Sequence, residues 1–140
     1  MFIDWTQDFD LWIKELRKKS HSDPGAQLTL DLVIVELSLL KDLKEQPMQD
    51  SKHICRVRSS MIFPLWRVGH PYVKNLAIRL IVWFPLTASN DHVVVVLAGN
   101  KAMNGGKFYD QIGQVCDKAI HEWLSENQEG HEKGEQGAEN

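Results

Sequence analysis

Two β-prone runs set close together constrain this chain more than anything else in it. Residues 76–84 read LAIRLIVWF and residues 93–98 read VVVVLA, joined by a short loop. Successive strand side chains point to opposite faces. Ile78, Leu80, Val82 and Phe84 therefore share one face of the first run, and Ala77, Arg79, Ile81 and Trp83 the other. The second run is apolar on both faces, which predicts a central strand, covered on both sides or paired along both edges. Arg79 is the one charge in the first run. It either finds a partner inside or looks out of the sheet at something anionic. After the second run the chain becomes polar and glycine-containing, and carries Lys101, Lys107 and Tyr109.

Charge is distributed unevenly around these runs. Residues 1–51 carry 6 Lys/Arg and 10 Asp/Glu, residues 52–110 carry 8 and 2, and residues 111–140 carry 2 and 7. The strand-rich part is basic between acidic flanks, although the whole chain has a net charge of −3. A local basic patch of this kind attracts a polyanion. Basic residues also line solvated strand edges, which is the plainer reading.

A length of 140 residues predicts one domain with a real core. We place it at residues 1–125. Residues 126–140 are an acidic tail with almost nothing to bury, expected to be disordered. No apolar run approaches the roughly 20 residues that cross a bilayer. The start, MFIDWTQDFD, lacks the basic and apolar regions of a secretion signal. The expectation is a cytoplasmic protein with no membrane partner. Cys55 and Cys116 make no disulfide framework and are expected to be reduced and packed.

In chain order, residues 1–5 form a short apolar start, expected as an edge strand. Thr6 is a good N-cap, with Asp8 and Asp10 where a helix dipole favours acids. Phe9, Trp12, Ile13 and Leu16 give helical spacing, and Lys14, Arg17, Lys18 and Lys19 follow at the favourable end. Residues 20–25 read as a turn. A second helix is predicted over 26–45, with stripes at Leu28, Leu32, Val35, Leu39, Leu43 and at Leu30, Ile34, Leu37, ended by Pro47. Residues 53–58 alternate, Arg56 and Arg58 on one face, Cys55 and Val57 on the other. Residues 62–68 are a strand candidate weakened by Pro64. A turn carries His70, Tyr72 and Lys74, and the two strong strands follow. Ile112, Val115, Cys116, Ala119, Ile120 and Trp123 space a last helix from about 108 to 124.

Leu65-Trp66-Arg67-Val68, then Ile78-Arg79-Leu80-Ile81-Val82-Trp83-Phe84-Pro85, then the run 93–101, then Phe108-Tyr109 and Asp117, occur in an order and spacing that resembles the RelE/HigB superfamily. These are small ribonuclease toxins of type II toxin–antitoxin pairs. The resemblance spans about residues 1–125. It implies an α+β, RelE-like fold: a small antiparallel-rich sheet, an N-terminal helical hairpin on one face and a C-terminal helix, in the order β-α-α-β-β-β-α, with the third element open to splitting. It implies a metal-independent endoribonuclease acting on mRNA at the ribosome, restrained by an antitoxin protein. The alternative is a RelE-like module that binds RNA or protein without catalysis.

The chemistry of such cleavage needs a base to take the ribose 2′-OH proton, cations for the phosphorane charge and an acid for the leaving oxygen. The resemblance implies that Arg67 and Arg79 project onto the open sheet face, where guanidinium forks match phosphate oxygens. Lys101 then clamps phosphate or acts as base, and Tyr109 stacks on a base or moves a proton. His70 is the histidine nearest this cluster in sequence. Arg56, Arg58, Lys74 and Lys107 are further RNA-binding cations. Each has a plainer role: Arg79 paired with Asp110 or Asp117, Lys101 a solvated strand end, Tyr109 a core aromatic, His70 a turn residue. No metal-ligand spacing, Walker loop, dinucleotide fingerprint or Ser-His-Asp signature is present, so no cofactor is expected.

Overall fold

The computed structural model describes residues 1–69, 77–87, 89–100 and 111–139. Its elements are β1 (Phe2–Trp5), α1 (Gln7–Ser20), α2 (Pro24–Lys41), β2 (Ile54–Arg56), β3 (Leu65–Gly69), β4 (Ile78–Trp83), β5 (His92–Asn100) and α3 (Ile112–Glu139). The chain is α+β. Among the described residues the strands form one mixed sheet in the order β1-β5-β4-β3-β2. Strands β2 to β5 are an antiparallel meander, and β1 lies parallel to β5 at the edge. As its two apolar faces predicted, β5 is paired along both edges. The basic stretch 53–68 holds two strands, the splitting that the sequence left open. β3 begins immediately after Pro64, which therefore costs the ladder no hydrogen bond.

The helical hairpin α1–α2 covers one face of this sheet. Phe9, Ile13, Val33 and Leu40 meet Ile78, Leu80, Val82, Val93 and Val95 there. Thr6 caps α1: its hydroxyl accepts the Phe9 N–H at 3.2 Å and donates to the Val96 carbonyl at 2.6 Å. That contact sits at a bulge, where the register between β4 and β5 shifts between Ile81 and Val82. The bulge changes the phase of β5, so Val94, Val96 and Leu97 all face α3.

α2 departs from its predicted bounds at both ends. Pro24 opens the helix instead of ending a turn, because Asp23 caps it by accepting the Gly25 and Ala26 N–H groups at 2.9 and 3.4 Å. It stops at Lys41, well before Pro47. Its inward face is also displaced. Ala26, Val33, Glu36 and Leu40 are buried, whereas Leu28, Ile34 and Val35 are exposed.

On the other face, Ile112, Cys116, Ala119 and Ile120 of α3 close over Val57, Leu65, Ile81, Trp83, Val94 and Val96. Cys116 is inert there, since burial pushes its thiol up to about 12. Both cysteines are free. α3 continues past Leu124, the end its apolar spacing predicts, through residues expected as a disordered tail. No helix is long and apolar enough among the described residues to cross a membrane.

Two contacts pin α3 to the chain between β2 and β3. The carboxylate of Asp117, 7% exposed, accepts the N–H groups of Ile62 and Phe63 at 3.2 and 3.4 Å. Gly113 lies so close that a Cβ there would stand 2.6 Å from the Ser59 carbonyl oxygen and 2.8 Å from Met61 Cγ. In an open helix, alanine is worth about 1 kcal/mol over glycine. Here the obstacle is backbone, so the sign reverses. Gly113→Ala is expected to lose about 1–3 kcal/mol and lower the thermal midpoint. An unchanged or raised midpoint would show that the 57–63 segment yields freely.

Candidate functional site

Arg67 and Arg79 come together on the sheet face that α3 only partly covers. Arg67 stands opposite Ile81 and Arg79 opposite Gly69, so the two are diagonal neighbours on adjacent strands, pointing the same way. Cys55 of β2 stands opposite Arg67 on that face, and Gly99 of β5 stands opposite Arg79. Arg79 is thus flanked on both sides by glycine. The β5 bulge sets this register, since it brings Gly99 into phase with Arg79.

The guanidinium of Arg79 uses the space. A Cβ on Gly69 would meet its Cζ, Nε and Nη1 at 3.1 Å. Its Nη1 donates to the carbonyl of Ile78 at 3.0 Å. Lys52, His53, Cys55, Arg67, Gly69 and Arg79 line a cavity of about 70 Å³ at this point. A second cavity of about 290 Å³ adjoins it through Arg67 and is lined by Arg56, Val57, Arg58 and Ser59.

The expected residues do not all belong together. Arg56 has a structural post: its guanidinium lies over Trp66, 5.2 Å from Cζ to ring centroid, and Nη2 donates to the Met48 carbonyl at 3.2 Å. Arg58 is exposed and shares the larger cavity with Arg67. The proposed Arg79–Asp117 pair does not form, because Asp117 is committed to the backbone of Ile62 and Phe63. His70, Lys74, Lys101, Lys107, Tyr109 and Asp110 lie outside the described residues.

Two residues were missed, one at the site and one on the other face of the sheet. His53 lines the small cavity with both arginines, and its carbonyl accepts the Gly69 N–H at 2.8 Å. Alternation in 53–58 puts His53 with Cys55. Only the pairing of Cys55 with Arg67 brings that pair to the arginines. Glu36 is the second. It is fully buried among Val33, Leu40 and the sheet, and neither carboxyl oxygen has a hydrogen-bond partner among the described residues. Burial pushes its carboxyl up to about 9, against a weaker downward pull from the charge of Arg79.

Chemically, the cluster holds two guanidiniums, one ammonium and one imidazole around one cavity of the described residues. Two adjacent guanidiniums match the oxygens of one phosphodiester. Among the described residues no three His, Cys, Asp or Glu side chains gather as a metal site would require. No family model, curated protein or solved structure matches the chain. The geometry of Arg67, Arg79 and His53 is thus what speaks for function.

Proposed function

We propose that this chain has a RelE-like fold and is a cytoplasmic endoribonuclease, the toxin of a type II toxin–antitoxin pair. It cleaves mRNA without a metal ion, by attack of the ribose 2′-OH on the adjacent phosphate. The observation that carries this reading is the Arg67–Arg79 pair, set diagonally on one sheet face and lining one cavity among the described residues, with glycines on both sides of Arg79. A helical hairpin behind the sheet and a closing helix in front match the layout that the resemblance implies.

In this reading the arginines hold the scissile phosphate and stabilise the charge of its phosphorane. His53 is one proton-transfer group. Lys101, Tyr109 and His70 are the others; they follow Gly69, which pairs with Arg79, and Asn100, which pairs with Ile78, in sequence. An antitoxin covers the basic face until it is removed.

The test is growth after tightly induced expression of the wild type beside Arg67→Ala/Arg79→Ala, with total RNA examined from both. Arrest with loss of mRNA is expected in the wild type alone. Healthy cells holding abundant, folded wild-type protein would replace the ribonuclease with a non-catalytic module for RNA or a protein partner.

A further inference from the structure

The basic cavities do not end at Arg56. A third cavity of about 500 Å³ shares Arg56 and Val57 with the second and continues to Pro64 and Trp66. Pro64 and Trp66 then belong to a fourth, of about 510 Å³, walled by Phe63, Trp83, Phe84 and Leu86. The cavities thus succeed one another round the β2 edge of the sheet as a broken groove, with arginines at one end and aromatic rings at the other. The short β2, three residues long, leaves this edge open.

The aromatic end is a slot formed by half-buried Phe63 and the buried rings of Trp66, Trp83 and Phe84. Phe63 stands edge-on to Trp83, with centroids 5.3 Å apart and planes at 65°. Trp66 and Phe84 cross at 82°. Leu86 stands at the mouth, 91% exposed. Two carboxylates near the groove hold backbone groups: Asp117 accepts the Ile62 and Phe63 N–H groups, and Asp50 accepts the Arg56 N–H at 2.9 Å.

We propose that this aromatic slot receives an unpaired base of the same single-stranded RNA whose phosphates run along Arg79, Arg67 and Arg58. The inference rests on the ribonuclease reading and adds a subsite to it. A greasy ligand accounts for the slot but not for the line of cations leading to it. A phosphodiester strand accounts for both, since cations neutralise its backbone and aromatic rings stack its bases. A duplex keeps its bases stacked inside and has none to offer.

The test is fluorescence anisotropy with a labelled 2′-O-methyl oligouridylate of about 12 nucleotides, within the usual span of such grooves. Methylation removes the attacking hydroxyl, so binding is read without cleavage. A series of the same probe carries one abasic site at successive positions. One or two positions are expected to weaken binding about tenfold. Phe63→Leu is expected to erase that dependence without altering the salt slope. Arg58→Ala is expected to lower the slope by about 1 while the abasic dependence stays. Leu86→Glu, at an exposed position that folding does not need, is expected to weaken the intact probe more than the abasic one. Tight binding with a flat abasic profile would overturn the slot and leave the ribonuclease reading standing. Equal weakening of every probe by Phe63→Leu would overturn it too, as a structural effect. No binding of any probe at low salt would overturn both readings.

Discussion

Replacing Glu36 with leucine is expected to stabilise the protein by about 3 kcal/mol at pH 7, and to flatten its stability between pH 5 and 9. Glu36 is a fully buried carboxyl with no hydrogen-bond partner among the described residues. Its pKa rises from an ordinary 4.5 to about 9, chiefly through burial. A raised folded-state pKa means the native protein holds the proton more tightly than the unfolded chain does. Stability from this group is therefore complete below about pH 4.5 and is lost as pH climbs toward 9. Each pH unit inside that window is worth up to about 1.4 kcal/mol, which gives the figure at pH 7.

Leucine fills nearly the same volume and belongs among Val33, Leu40 and the β4 side chains. Glu36→Gln is expected to flatten the curve equally but to gain less, because an unpaired amide still costs about 1–3 kcal/mol to bury. Urea unfolding of the three proteins at pH 5, 7 and 9 measures both effects. A leucine variant less stable than wild type at pH 9 would show that Glu36 has a partner worth keeping. So would an unchanged wild-type slope in that variant.

Glu36 also explains where reading the chain by pattern failed. The two strong strands were legible because their periodicity is strict, and α1 because Thr6 and the acids after it announce a cap. The inward face of α2 was not. Counting hydrophobes gave two stripes on more than one face; Leu30, Leu32, Leu37, Leu39 and Leu43 do pack against the core, but Leu28, Ile34 and Val35 are exposed, and the buried line of Ala26, Val33 and Leu40 passes through a carboxylate. Pattern reading assigns charge to solvent, so the deepest line of the helix, which runs through a buried acid, was not read. The site was legible only in part, for a different reason. That Arg67 and Arg79 share a face follows from alternation once β3 and β4 are paired. That His53 joins them depends on the β2–β3 register, and that Gly99 faces Arg79 depends on the bulge in β5. Register is a property of strand pairs, and a single strand's sequence does not carry it.

That register makes Gly69 the sharpest probe of the proposed chemistry. Gly69→Ala is expected to leave stability within about 1 kcal/mol, because the atoms in its way are the far end of the Arg79 side chain, 3.1 Å from the new Cβ. The guanidinium has to move by a few tenths of an ångström or more. If it holds the phosphate, cleavage of a single-stranded RNA under single-turnover conditions should fall roughly tenfold, since small displacements of a positioning group cost rate steeply. Arg79→Ala removes the charge and should cost about 10²–10³-fold. Arg79→Lys should recover little of it, because an ammonium keeps the charge but not the two-point fork. The expected order is wild type, Gly69→Ala, Arg79→Lys, Arg79→Ala, with closely similar thermal midpoints. A structural arginine gives another order. Lysine would then serve about as well as arginine, and any loss of activity would track the loss of fold. Full activity in Arg79→Ala would remove this residue from the reaction altogether and leave the face to binding alone.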